Sequence, residues 1–157
     1  VISFEPVNST YNYLVKNCSL NNVTQKCELY NLAISDANEN LKIFFNKNHT
    51  GKSSLAKSNQ NFSDRVIKIK TINHLKLNKL IMIKKNLILK IDVEGHEFIV
   101  FKELLKCDFA KFISNIFYEI DDRWNDANLI EKLLRDHDFK TFKKIGKGNH
   151  YDIMASK

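Results

Sequence analysis

The sequence predicts an α/β fold, with a mostly parallel sheet, helices on both faces, and an antiparallel hairpin closing one edge. Three observations predict it. Short apolar runs alternate with amphipathic stretches along most of the chain, as in successive β-α units. The run Leu87-Ile88-Leu89-Lys90-Ile91 ends abruptly in Asp92-Val93-Glu94-Gly95 and passes into a helical pattern. That is how a core strand looks where it delivers polar groups to the ligand edge of an open α/β sheet. The last segment reads as two strands, Phe139–Ile145 and His150–Ala155, around the turn Gly146-Lys147-Gly148-Asn149.

The elements follow in order. Val1–Phe4 is a strand stopped by Pro6, and Asn8 or Ser9 can cap a helix carrying Tyr11, Leu14, Val15 and Cys18 on one face. Cys27–Ile34 reads as a second strand ending at Ser35-Asp36, and Leu41–Phe45 as a third. Residues Asn46–Asp64 are polar and loop-like, and Arg65–Lys70 alternates apolar with basic residues as an edge strand does. His74–Lys85 is an amphipathic helix, Leu87–Val93 the core strand, and Phe98, Phe101 and Leu105 mark the next helix. Phe112–Ile120 is another core strand, and Asn125 or Asp126 caps a helix with Leu129, Ile130, Leu133 and Leu134 facing inward. No repeat or linker divides the chain, so its 157 residues read as one domain. Val1 stands where an initiator Met would, in what reads as mid-strand, and this leads us to expect further chain upstream.

Composition narrows the function classes. With 43% hydrophobic residues the chain has material for a core, and no apolar run reaches the length of a membrane span. The net charge of +7 is carried by Lys spread along the whole chain, with Arg only at 65, 123 and 135. No compact basic stripe with interleaved aromatics forms, so a nucleic-acid partner is not expected. Cys18, Cys27 and Cys107 are widely spaced and include no C-x-x-C pair. Free thiols in a reducing, cytoplasmic compartment are the expectation, with no metal site.

Six residues are candidates for chemistry. Glu5 ends a strand just before a helix, where a carboxylate can accept hydrogen bonds from two ribose hydroxyls or simply favour the helix start. Ser35 and Asp36 end the next strand, at a ligand edge or in an ordinary turn. Asp92 and Glu94 are two residues apart, which on a strand puts both carboxylates on one side. Unpaired buried charge is costly, so they can orient a substrate, hold a divalent cation, cap a helix, or pair with a lysine such as Lys90. His96 adjoins them and can act as acid or base near neutral pH, whereas His74, His137 and His150 read as surface or helix-end residues. The stretch His49-Thr50-Gly51-Lys52-Ser53-Ser54 is not a phosphate loop, because the earlier glycine that loop needs is replaced by Asn46. Trp124 can stack on a sugar or close the core, and the core role is favoured.

Four ordered segments together resemble the FkbM family of S-adenosylmethionine-dependent methyltransferases. They are Phe4-Glu5-Pro6, Asn17 to Asn22, Leu32-Ala33-Ile34-Ser35-Asp36, and Leu89 through Glu97; Gly51-Lys52-Ser53-Ser54-Leu55 also resembles that family's Gly-x-Ser-Ser loop. The resemblance runs from Val1 to the closing hairpin. It implies a Rossmann-like methyltransferase sheet with Glu5 on the cofactor ribose, and Ser35 and Asp36 near the adenine. It implies that Asp92 and Glu94 lie at the methyl-transfer site, with Asp92 also touching the cofactor. It implies a hydroxyl of a sugar, glycan or small metabolite as acceptor. Two departures stand out: the family's Gly-rich cofactor loop, which precedes the strand ending at Glu5, is not in this sequence, and Ile72-Asn73 replaces the usual Leu-Asp. We expect Asp92 as the base, with Glu94 or His96 behind it. The alternatives are a metal-dependent sugar-nucleotide transferase using Asp92 and Glu94, and an inactive binding module. Acceptor and oligomeric state have no readable code.

Overall fold

A computed structural model describes residues 1–45 and 65–157. They fall into two compact units that divide between Asn73 and His74. The loop expected at Asn46–Asp64, with its Gly-x-Ser-Ser stretch, lies outside the described residues.

The first unit holds β1 (Ile2–Phe4), α1 (Asn8–Leu20), β2 (Glu28–Tyr30), β3 (Ala33–Ile34), β4 (Asn40–Phe45) and β5 (Arg65–Ile72). β1 and β2 pair in parallel. β5 runs parallel to β3 and antiparallel to β4, and so is the centre of its three-stranded sheet. The sequence pattern suggested an edge strand instead. Its alternation reports only that one face is solvated, with Lys68 and Lys70 exposed against buried Ile69 and Thr71. Thr71 earns its buried place: its hydroxyl donates to the Ala37 carbonyl at 2.7 Å and accepts from the Glu39 amide at 3.1 Å. The stretch Cys27–Ile34 is two strands rather than one. Asn31 turns its side-chain amide to the carbonyls of Glu5 at 2.8 Å and Pro6 at 3.2 Å, and the chain leaves one sheet for another there. α1 buries Cys18 but leaves Val15 exposed, and its N-cap is Val7, not Asn8 or Ser9.

The second unit holds α2 (His74–Leu80), β6 (Leu87–Ile91), α3 (Glu97–Leu105), β7 (Ile113–Asp121), α4 (Ala127–Arg135), β8 (Thr141–Ile145) and β9 (His150–Ser156). Its sheet runs β6-β7-β9-β8, with β6 and β7 parallel and the terminal hairpin antiparallel. Period-two alternation along the strands gives the sheet a buried face of Ile91, Ile116, Tyr118, Ile120, Ile153 and Ala155. α3 packs on that face, where Phe101 meets Tyr118 edge-on with ring centroids 5.1 Å apart. α4 buries Ile130 and Leu134, and its first turn is capped by the Asp126 carboxylate, which accepts the Asn128 amide at 2.9 Å. Among the described residues, the opposite face is half-buried at Asn115, Phe117, Glu119 and Asp152 and most exposed at Ile88, at 76%.

The architecture is thus mixed α/β. Among the described residues, three strand pairs are parallel and three antiparallel, where the sequence suggested a mostly parallel sheet. The hairpin of β4 with β5 supplies the pairing that helix-strand alternation did not foretell. No helix among the described residues is long and apolar enough to cross a membrane.

Candidate functional site

The chemistry of the second unit gathers where β6 and β7 end. β6 stops at Ile91, so Asp92 lies just past the strand, and Glu94 stands in a β-bridge just before the turn Gly95-His96 into α3. That bridge carries the extended backbone beyond the end of β6, as far as Gly95. Gly95 makes the turn with φ 79°, a left-handed backbone that a glycine adopts without Cβ strain. Glu94, before this turn, and His96, on it, are half-buried, and His96 is the N-cap of α3 without a side-chain capping bond.

Asp92 is exposed and pairs with Lys90, Nζ to Oδ2 at 2.6 Å, the partner expected from their spacing. The parallel register matches Ile91 to Tyr118, so the residue after each, Asp92 and Glu119, come side by side. The antiparallel register matches Glu119 to Asp152 and Asp121 to His150. His150 then reaches back along this face of the sheet and its Nε2 bonds Glu119 Oε1. One cation, three carboxylates and an imidazole thus share one patch: Lys90, Asp92, Glu119, Asp152 and His150.

The two central carboxyls are driven in opposite directions. The Lys90 hydrogen bond holds Asp92 below the usual carboxylate range. Burial, and then the hydrogen bond and negative charge of Asp92, push Glu119 up to about 7. The second effect adds to burial because adjacent carboxylates resist ionising together. Glu119 and His150 were not among the sequence candidates. Glu119 ends a core strand as Asp92 nearly does, but only the strand register shows that the two are neighbours.

The turn residues Gly95 and His96 line a groove of about 390 Å³ together with Phe98, Trp124, Asp126 and Leu129. Trp124 is 39% exposed there, so it does not close the core. Its ring is flanked by the Arg123 guanidinium, 5.9 Å from the centroid, and Arg123 is anchored by Asp121. That bond holds the Asp121 carboxyl at about 2. Among the described residues, no three His, Cys, Asp or Glu side chains are placed to hold a metal ion together.

The other sequence candidates lie in the first unit. Glu5 ends β1; its Oε1 accepts the Val7 amide at 2.7 Å, and burial raises its carboxyl. A carboxylate keeps acceptor capacity beyond one such bond, which suits vicinal hydroxyls. Ser35 is buried and its hydroxyl donates to Asp36 Oδ1 at 3.2 Å, leaving Asp36 exposed at the end of β3.

The fold and this patch define an α/β domain with acid-base groups at its strand ends. The methyltransferase FkbM domain matches residues 1–141, and the chain belongs to the FkbM methyltransferase family. No curated protein and no solved structure matches it.

Proposed function

We propose that this protein is an S-adenosylmethionine-dependent O-methyltransferase acting on a hydroxyl of a sugar, glycan or small metabolite. Membership of the FkbM family over residues 1–141 carries this reading. When bound, the cofactor would supply a methyl group on a positively charged sulfur, open to in-line displacement by the acceptor oxygen. Such a displacement needs alignment and exclusion of water more than covalent help. Glu5 would hold the cofactor ribose, with Ser35 and Asp36 toward the adenine. Asp92 would face the reacting centre. Its pairing with Lys90 keeps it charged and able to accept a hydrogen bond from the acceptor hydroxyl. Glu94 stands just before the next turn and His96 on it. The exposed rings of Trp124 and Phe98 offer an apolar wall for a sugar, and Asp126 an acceptor beside it.

Calorimetric titration of S-adenosylhomocysteine into the full-length protein tests the reading. Saturable binding that is lost in Glu5→Ala supports it. Absence of binding in the full-length protein, together with no transfer of labelled methyl to hydroxyl acceptors, would sink it.

A further inference from the structure

We propose that Glu119 takes the proton of the acceptor hydroxyl, that Asp92 holds that hydroxyl in place, and that His150 passes the proton to solvent. This inference rests on the methyltransferase reading and assigns the base within it. It moves that role away from Asp92, the residue that the sequence favoured.

The geometry separates the two carboxylates. Asp92 lies in a 2.6 Å ion pair with Lys90, both side chains well exposed at 51% and 65%. A carboxylate so paired is a good hydrogen-bond acceptor and a poor base, since its affinity for a proton is reduced. Glu119 sits on the neighbouring strand, its side chain only 30% exposed, against the 59% exposed His150. The groups facing it are Lys90, Asp92 and Glu94 from the β6 side, and His150 and Asp152 from β9. Lys90 hydrogen-bonds Asp92 and reaches Glu119 only through its charge, and the imidazole of His150 is the group that bonds Glu119 directly and opposes the rise. Burial and the Asp92 charge bring Glu119 to about 7, where a base is half ionised at neutral pH and still binds a proton firmly. His150, bonded to Glu119 and more open to water, gives the proton an exit.

The atoms balance simply. The hydroxyl oxygen keeps its electron pair and forms the new C–O bond. The O–H proton passes to Glu119, and the electrons of the broken C–S bond remain on sulfur.

Two measurements on the full-length protein test this. Carboxyl carbon NMR of the protein labelled at glutamate, assigned by loss of one resonance in Glu119→Gln, should show Glu119 titrating near neutral pH. That titration should move down in Asp92→Asn, which removes the neighbouring charge. In methyl transfer, Glu119→Gln should lower kcat by roughly 10²–10⁴-fold with little change in KM and should abolish the rise of rate with pH. Glu119→Asp should restore part of the rate. A wild-type enzyme that methylates, with Glu119→Gln retaining its kcat and pH profile, overturns Glu119 alone. Titration of Glu119 with the ordinary exposed carboxylates overturns it equally. A wild type that neither binds S-adenosylhomocysteine nor transfers methyl overturns the parent reading, and this proposal with it.

Discussion

Glu103 on α3 and Glu119 on β7 each bond a histidine imidazole, yet one carboxyl is held at about 2 and the other pushed to about 7. Burial does not explain the difference, because it works to raise both. The Glu103 side chain is the more buried, at 2% exposed. Donors decide instead. Glu103 receives the Lys106 ammonium at 2.5 Å, the His74 backbone amide at 2.9 Å and the His74 ring Nδ1 at 2.8 Å, which together outweigh the loss of water. Glu119 has one imidazole and, beside it, the like charge of Asp92. The first glutamate is a fixed anion tying α2 to α3. The second is a group that exchanges protons at neutral pH.

The largest test of this contrast is thermodynamic. Glu103→Ala should cost about 3–5 kcal/mol, as breaking a buried pair does, measured by urea unfolding at pH 7. Glu119→Gln should cost less than about 1 kcal/mol in the same experiment, since the variant mimics the protonated form the fold prefers. Equal losses would erase the distinction between clamp and proton store.

The pH dependences should run oppositely. Glu103 is depressed from 4.5 to about 2, so its contribution is present above 4.5 and lost as pH falls toward 2. Glu119 is raised from 4.5 to about 7, so its contribution is present below 4.5 and lost as pH rises through about 7. Glu103→Gln should flatten the acid limb of a stability profile, and Glu119→Gln the limb around neutrality. Thermal melts across pH 2 to 9 would reveal the opposite assignment as readily as this one.

A smaller effect sharpens the second member of the pair. Lys90→Met removes the bond that keeps Asp92 charged, so Asp92 should titrate higher, while Glu119 no longer holds the pair's proton alone. Carboxyl carbon shifts would follow both groups. Smaller still are bonds that belong to neither cluster. Asp126→Ala removes the α4 cap at about 1 kcal/mol, and Glu131→Ala removes an exposed pair with Arg135 at about 0.5 kcal/mol. Chemical denaturation of those two variants calibrates what an ordinary helix bond is worth here.

Sequence and structure part company at particular residues. The Lys90–Asp92 pair was legible because it needs only local spacing, and the Asp126 cap for the same reason. His150 is the surface residue its sequence suggested, but neither it nor Glu119 stood out as a site residue, because their meeting with Asp92 depends on which strands are neighbours and in what register. Chain order places β9 last, yet it lies between β7 and β8. Apolar periodicity marked the strands of the second unit within a residue or two. It could not show that β5 is paired on both sides, since two-sided pairing is a property of backbone groups that side-chain pattern does not record. Nor did it show the break at Asn31, where one side-chain amide captures two carbonyls and competes with strand continuation.

Cys107 completes the Glu103 clamp. Its thiol is buried, bonds the Glu103 carbonyl at 3.3 Å, and is pushed up to about 12 by burial and by the nearby carboxylates. A thiol so protonated and enclosed is inert to alkylating reagents until α2 and α3 separate. Its labelling rate is therefore an opening clock for the clamp, readable in the native protein by mass without any denaturant.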